Sequence, residues 1–433
     1  MPGRVIPGRL MPGQVMAGQV MTGARAPSPV PIPKQLRILP GPGLLADVTA
    51  GPSLAAHRAF YGTPAPLGVQ ELAQLAERAR LRGRGGAAFP FATKLRIAAS
   101  GGRGRRAVVV NLSEGEPASG KDAALALTRP HLILDGAAAA AGALGCREVW
   151  VALPGERPAA AAQLRTAIEE RDDGLRWRTQ VGDQHFVAGQ SRAVIELLGG
   201  RANKPVTSWK PEAIDGHRGR PTVLSNAETW AHLGRLVLVG LESYAALGTV
   251  TEPGTTLLTI GESGATPTVV EVGYGAAWTD VLPERLQHRR YLVGGFHGTW
   301  ATWAILSATS VSIRAMRGQG LLFGAGVVFA TAEEECPVEF TTRVVDYLAG
   351  QSAGRCGPCL NGLPALAAAL HAVDSGAGGV AEVQRLSALV AGRGACAHPD
   401  GTVRLVGSLL AQFPAEIAAH AHGDCRCGVR EYA

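Results

Sequence analysis

Three groups of residues have types and spacings suited to chemistry. The first is Cys356 and Cys359, separated only by Gly357 and Pro358, with a helical stretch at 363–372 just beyond. A glycine–proline turn of this kind presents two sulfurs from one loop. That suits metal ligation, and a redox-active dithiol is the competing chemistry. Cys396, after Gly392-Arg393-Gly394, lies on a second loop that could add a third sulfur. The second group is Gly83-Arg84-Gly85-Gly86-Ala87-Ala88-Phe89-Pro90, with Lys94 four residues on. Closely spaced glycines let the backbone approach a ligand and point several N–H groups at it, and Lys94 adds positive charge, so an anionic group such as a phosphate fits. The third runs from Asn111 to Asp122, where Glu114 and Glu116 flank Gly115 ahead of Pro117.

The elements that must position these groups read as α/β in the first half. Residues 107–112 form an apolar run suited to a buried strand, and Asn111 begins the loop at its carboxyl end, where open parallel sheets bind ligands. A helix at 123–143, a strand at Glu148–Leu153 and a helix at 158–171 continue the alternation. The glycine loop is not a Rossmann fingerprint, because residues 69–82 before it read as helix, with Leu72, Leu75 and Leu81 near helical spacing. Residues 241–330 read as β-rich, with strands at 255–260, 268–272 and 291–292. Residues 335–433 read as helical. Phe340, Val344, Val345 and Leu348 share one face, and so do Val403, Val406, Leu409, Leu410 and Phe413.

In order, these stretches resemble the flavoprotein subunit of respiratory complex I, the NADH-oxidising F-type subunit. The family's G-R-G-G-A-G-F-P loop and following lysine are matched at residues 83–90 and Lys94. Its N-x-D-E-x-E-P-G-x-x-K-D is matched at Asn111, Glu114, Glu116, Pro117, Lys121 and Asp122. Gly219-Arg220-Pro221-Thr222 leading to Asn226-Ala227-Glu228-Thr229 is similar to its G-x-P-T…N-x-E-T, and residues 352–362 are similar to its E-S-C-G-x-C-x-P-C-x-x-G. The resemblance implies an FMN-binding α/β domain over 36–240, a soluble-ligand-binding β-grasp module over 241–330 and a helical iron–sulfur domain over 335–433.

By the same resemblance Gly83, Arg84, Gly85, Gly86, Lys94, Asn111, Glu114, Gly189 and Asn226 would hold FMN. Phe89 would stack near a bound NAD(H), and Glu116 would be the catalytic group at the reactive edge of the flavin. Cys356, Cys359 and Cys396 would ligate a 4Fe–4S cluster. The family's first cluster cysteine is Ala353 here. His398 is the first candidate for a fourth ligand; Cys336, the Cys425–Cys427 pair and a small exogenous ligand are others. Zinc on three cysteines and a histidine is the alternative metal. Electrons would pass from a two-electron donor through FMN and the cluster to a partner such as a ferredoxin or a membrane reductase. The competing reading is a non-catalytic or zinc-stabilised scaffold that has lost flavin chemistry.

The departures cluster. Ser113 stands for an aspartate, Phe186 for a tyrosine, Gln190 and Ser191 for two glutamates, Arg192 for a small residue and Ser225 for an asparagine. They fall on groups that would meet NADH, so the flavin site is expected to be better kept than the dinucleotide site.

Composition sets the outer bounds. The chain has 433 residues, 46% hydrophobic and 18% charged, enough for several cored domains. Its net charge is +7, but Arg4, Arg9, Arg25, Lys34 and Arg37 precede the first acid, so the body carries little excess and no nucleic-acid face is indicated. Residues 1–35 repeat Pro-Gly steps and hold four of the five methionines, a composition that builds no core, so a disordered, dispensable tail is expected. No stretch reads as a signal peptide or membrane span, and a cytoplasmic location without membrane insertion is expected. Seven cysteines on so long a chain do not read as a secreted disulfide framework, and Cys146 reads as a buried apolar residue.

Overall fold

The computed structural model describes residues 28–101, 106–425 and 427. Most of the expected tail, residues 1–27, lies outside them. Residues 28–35 are described and do not stand apart. Val30 packs against the carboxy-terminal core, and Arg157 donates to Pro33 O.

Ten strands among the described residues form two sheets. β1 is Arg37–Ile38, β2 Ala107–Asn111, β3 Glu148–Leu153, β4 Arg176–Val181 and β5 Thr222–Asn226. β6 is Thr255–Glu262, β7 Thr268–Gly273, β8 Arg290–Val293, β9 Thr299–Thr302 and β10 Val327–Ala330. The first sheet has the order β4-β3-β2-β5, with every neighbour parallel. Parallel strands are covered on both faces, so β2 is buried throughout and reads Ala-Val-Val-Val-Asn without alternation. From β2 the chain steps to β3 and β4 on one side, then returns to place β5 on the other. The reversal lies between β2 and β5.

One face is covered by the helices Pro130–Leu144 and Ala227–Ala245, which cross at two glycines. A Cβ on Gly136 would sit 2.0 Å from Trp230 O and one on Gly234 2.1 Å from Leu132 O, so only glycine allows this approach. The helix expected over 123–143 is two helices, Lys121–Thr128 and Pro130–Leu144. Pro130 has no N–H to continue the first and forces Arg129 out of helical geometry, to φ −137° and ψ 47°.

The second sheet has the order β1-β7-β6-β10-β8-β9. β6 and β7 form a hairpin, β10 lies parallel to β6, and β8 with β9 forms a second hairpin on the other side of β10. This is the β-grasp arrangement. β1 joins its edge parallel to β7, so the chain enters this sheet before building the first. Glu271 fastens that entry, accepting from the N–H groups of Gly43, Leu44 and Leu45.

The helical region comprises Pro337–Gly350, Leu363–Asp374, Val380–Val390, His398–Gln412 and Pro414–His420. The expected stripe of Phe340, Val344, Val345 and Leu348 is buried. Val406 and Leu409 are buried with it, while Val403, Leu410 and Phe413 are partly covered. Among the described residues no helix is long and apolar enough to cross a membrane.

Candidate functional site

The carboxyl ends of β2 and β5 carry Asn111 and Asn226, which are register partners across the reversal point of the sheet. Such a point opens a crevice outside the strand ends. The glycine loop lies over it. A Cβ built on Gly85 would meet only Asn226 Cβ, at 4.0 Å. Arg84 N donates to Thr229 Oγ1 at 2.8 Å, and Thr229 in turn is capped by Asn226 Oδ1. Asn111 Nδ2 donates to Gly189 O at 2.8 Å, which brings the 186–191 loop to the same edge. A narrow cleft of about 30 Å³ continues from here, lined by Gly83, Arg84, Gly86, Lys121 and Tyr274 among others.

The crevice therefore gathers Gly83, Arg84, Gly85, Gly86, Asn111, Gly189 and Asn226. Lys94 stands behind β5, donating to Leu224 O at 2.8 Å with Glu212 at 3.6 Å. Phe89 is 45% exposed and has open space to stack on a ligand. Arg84 lies over the Tyr274 ring at 4.9 Å, and its buried Nε has no hydrogen-bond partner among the described residues. A buried donor left over beside an open glycine loop is the signature of a missing acceptor. These residues fit a phosphate-bearing flavin.

Beneath the loop, Lys121 Nζ contacts Glu228 Oε2 at 2.5 Å, Arg84 O at 3.1 Å and Asp122 Oδ1 at 3.5 Å. Burial alone would lower this ammonium, but Asp122 and Glu228 outweigh it and hold it above the ordinary lysine range. Burial alone would raise Glu228, yet Lys121 beside it holds that carboxylate well below its ordinary range. Glu228 also accepts from Leu257 N and Asp122 accepts from Asn226 Nδ2, so this one network joins the glycine loop, both sheets and β5. Lys121, Asp122 and Glu228 lie inside the matched motifs, but their spacing did not mark them as the floor of the site.

The two glutamates of the tip do different things. Glu114 accepts from Ser119 Oγ at 2.6 Å and from the N–H groups of Asp122 and Ala123, so it caps the helix Lys121–Thr128. Its carboxylate is spent on that helix, which differs from the flavin contact the resemblance implies. Glu116 reaches across to the β-grasp module, where Phe296 N donates to it at 2.7 Å; Ala118 N donates at 3.2 Å. Burial pushes its carboxyl up to about 8, against the pull of these two N–H groups and with a further push from Glu114. Gly295 has φ 89°, and a Cβ there would lie 2.4 Å from Glu116 Oε2, so the module's loop leaves room for this carboxylate.

Cys356, Cys359 and Cys396 form one thiol group. Burial pushes Cys359 up to about 12, and Cys356 and Cys396 beside it add to the rise. Cys396 is raised too, by burial first and then by Cys356. Crowded buried thiols of this sort lose protons to a bound cation, not to water. The backbone N–H of Ala353 lies against Cys359, and that of His398 against Cys396. Cys359 sits in a π-helical turn, Pro358–Gly362, that leads into the helix Leu363–Asp374.

His398 is thus at the thiols by its backbone. Its ring is occupied elsewhere, with Nε2 2.8 Å from Leu348 O and Nδ1 3.0 Å from His297 Nε2. This differs from the expected imidazole ligand. The side chain that does act on the group is Gln190, which pulls the Cys396 thiol down against the effect of burial. Nothing in the spacing of the chain pairs these two residues. Gln190 follows Gly189, so one peptide step links the Asn111 contact to the Cys396 contact.

The family model described as "Nuo51 FMN-binding domain" matches residues 76–235. That described as "NADH-ubiquinone oxidoreductase-F iron-sulfur binding region" matches residues 339–420. An F-type NADH-quinone oxidoreductase subunit of Rhizobium meliloti is 25% identical over 405 residues, covering 88% of this chain and 95% of the relative. The F-type NADH-quinone oxidoreductase subunit of Mycobacterium tuberculosis is 28% identical over 79% of this chain and 83% of its own. The NADP-reducing hydrogenase subunit HndC of Solidesulfovibrio fructosivorans is 26% identical over 74% and 69%. Among solved structures, a chain of an NAD+-reducing [NiFe]-hydrogenase in the air-oxidized state superposes with a TM-score of 0.78 at 26% identity, over 89% of this chain and 68% of that one.

Proposed function

The chain belongs to the family of respiratory complex I flavoproteins, and from that premise we propose that it is an electron-transfer oxidoreductase subunit of the NADH dehydrogenase type, with FMN in the β2–β5 crevice and an iron–sulfur cluster on Cys356, Cys359 and Cys396. The observation that supports it best is the short link between the two places: Gly189 O accepts from Asn111 at the crevice, and Gln190, next in the chain, lies near enough to Cys396 to pull its thiol down. Bound FMN would supply the exchange between a two-electron donor and single electrons, and the cluster would carry those onward.

The residues have separate tasks. The glycine loop and Arg84 offer donors to the flavin phosphate. Asn111 and Asn226 can each donate and accept at the isoalloxazine rim. Glu116 locks the tip against the β-grasp loop and can hold a proton near neutral pH. Phe89 offers a ring for a nicotinamide dinucleotide to stack on. Gln190 and Ser191 leave this chain without the acids that the family places at the dinucleotide, so NADH should reduce it only at high concentration. The electron acceptor is a protein such as a ferredoxin or a membrane reductase. The scaffold reading is less favoured, since crevice, glycine loop and thiol group are all kept.

Anaerobic purification with flavin, iron and sulfide analysis, followed by mixing with NADH, tests the proposal. Stoichiometric FMN and iron with slow bleaching of the flavin is the expected result. Protein that contains neither and takes up no FMN would overturn it.

A further inference from the structure

The remaining ligand-type side chains converge in the helical region. Cys336 Sγ lies 3.2 Å from His420 Nε2 and 3.7 Å from Glu416 Oε1. Glu416 Oε1 lies 3.4 Å from Cys425 Sγ and 3.5 Å from His420 Nε2. All four ligand atoms fall within 4.8 Å of one another, three of them on buried residues. A tetrahedral zinc ion, with bonds of about 2.3 Å to sulfur and about 2.0–2.2 Å to nitrogen and oxygen, spaces its ligands about 3.3–3.8 Å apart. The edges of 3.2, 3.7, 3.4 and 3.5 Å lie in or beside that range.

The surroundings are those of a ligand set. His420 Nδ1 is 2.8 Å from Asp374 O and 3.2 Å from Asp374 Oδ1. That puts the ring proton on Nδ1 and turns the Nε2 lone pair toward Cys336, the outer arrangement that orients metal-bound histidines. Cys336 is the N-cap of the helix Pro337–Gly350, so its sulfur sits at the positive end of a long helix; burial pushes the thiol well up, against the pull of the Glu339 and Val338 N–H groups, so it would lose its proton to a bound cation. We propose that Cys336, Glu416, His420 and Cys425 bind one structural zinc ion, distinct from the iron–sulfur thiols, which ties the carboxy-terminal segment to the start of that helix.

Two observations keep this site separate from the cluster. The thiols that act on Cys336 are Cys425 and Cys427, whereas those that act on Cys359 are Cys356 and Cys396. The match to the iron–sulfur binding region, 339–420, holds Cys356, Cys359 and Cys396 and also Glu416 and His420, but stops short of the second site's two sulfurs, Cys336 and Cys425. Cys427 is buried beside Glu416 and Cys425 and lies outside the set of four.

Zinc, iron and sulfide per chain, measured on the full-length protein purified anaerobically, test the proposal. One zinc per chain is expected in the parent. Cys336→Ser and Cys425→Ser should each lose at least nine-tenths of it while keeping iron and sulfide, and Cys427→Ser should keep all three. Retained iron shows that a variant has folded. Should either serine variant be insoluble, Co²⁺ added to the zinc-depleted parent gives the same answer, through a thiolate-to-cobalt absorption band from a single site. Asp374→Asn should weaken zinc binding about 10- to 100-fold. A parent without zinc that shows no such cobalt band overturns the proposal. So does a Cys336–Cys425 disulfide in anaerobic protein, or loss of iron and sulfide together with zinc in soluble Cys336→Ser. Because iron and zinc are counted separately, failure of the zinc site and failure of the flavin–cluster reading cannot be confused.

Discussion

Two thiol groups in this chain are proposed metal sites, and they differ in how the chain assembles them. Cys356, Cys359 and Cys396 announce themselves by a Cys-x-x-Cys turn and a glycine-flanked third cysteine. In the second group Glu416 and His420 lie one helical turn apart with Cys425 just beyond; Cys336 meets them only because the helices Pro337–Gly350 and Pro414–His420 pack into one core. A Cys-x-x-Cys turn is a recognisable ligand spacing for zinc and iron–sulfur sites alike, and the second group has none.

The largest expected effect separates the two groups outright. Cys359→Ser removes one of three clustered thiols and should abolish bound iron and sulfide, with zinc unchanged at one per chain. If zinc falls in step with iron, the groups are one site and the contrast collapses. Elemental analysis of the two metals in the same preparation decides it.

Next in size is the charged floor of the crevice. Lys121→Met leaves Glu228 and Asp122 buried without their cation, a loss of about 3–5 kcal/mol. Flavin retention should fall with it, because Lys121 also holds Arg84 O. Denaturant unfolding and flavin content measure both. A loss below about 1 kcal/mol would show that the network is solvated and belongs with surface ion pairs.

The two glutamates of the tip offer a third contrast. Glu116 has its carboxyl raised to about 8 in the folded protein, from the ordinary value near 4.5. The folded state then holds a proton that the unfolded state releases. Its contribution to stability is present below about pH 4.5 and is lost as pH rises through about 8. Glu116→Gln, which mimics the protonated form, should flatten this fall between those limits. Glu114→Gln should leave this fall in place, and should cost about 1 kcal/mol through the weakened helix cap. Melting curves across the pH range test both, and parallel profiles for the two variants would refute the distinction.

The smallest effects concern the amino-terminal segment. A chain starting after residue 27 should match the parent. One starting at Gln35 loses the Val30 packing and the Pro33 contact to Arg157, and should be less stable by about 1–2 kcal/mol. Equal melting temperatures would restore the tail boundary expected from composition.

Much of the architecture was legible in the residues, for physical reasons that differ by region. The valine run of β2 has one reading, a strand buried on both faces, and Asn111 follows as the residue at its ligand end. The β-grasp strands were legible as β-rich, though not as a sheet that β1 enters from the far end of the chain. The helix expected over 123–143 continued through Pro130 because its apolar periodicity did. The missing proline N–H prevailed, and Arg129 carries the break. At the site, the glycine loop, Asn111, Asn226 and the three cysteines were marked by type and spacing. Glu114 was not separable from Glu116, since both are acids on one loop and only their partners, a helix end and the Phe296 N–H, tell them apart.

The amino-acid sequence by itself determined which local segments could make strands, turns and ligand loops, because periodicity, glycine freedom and cysteine spacing act over a few residues. Tertiary structure alone decided which of those groups meet. It turned His398 toward Leu348 and brought Gln190 to Cys396, and it set Cys425 beside Cys336, 89 positions away in the chain. Such pairings depend on how whole helices and sheets pack, and a side chain's partners across that packing leave no mark in the residues next to it.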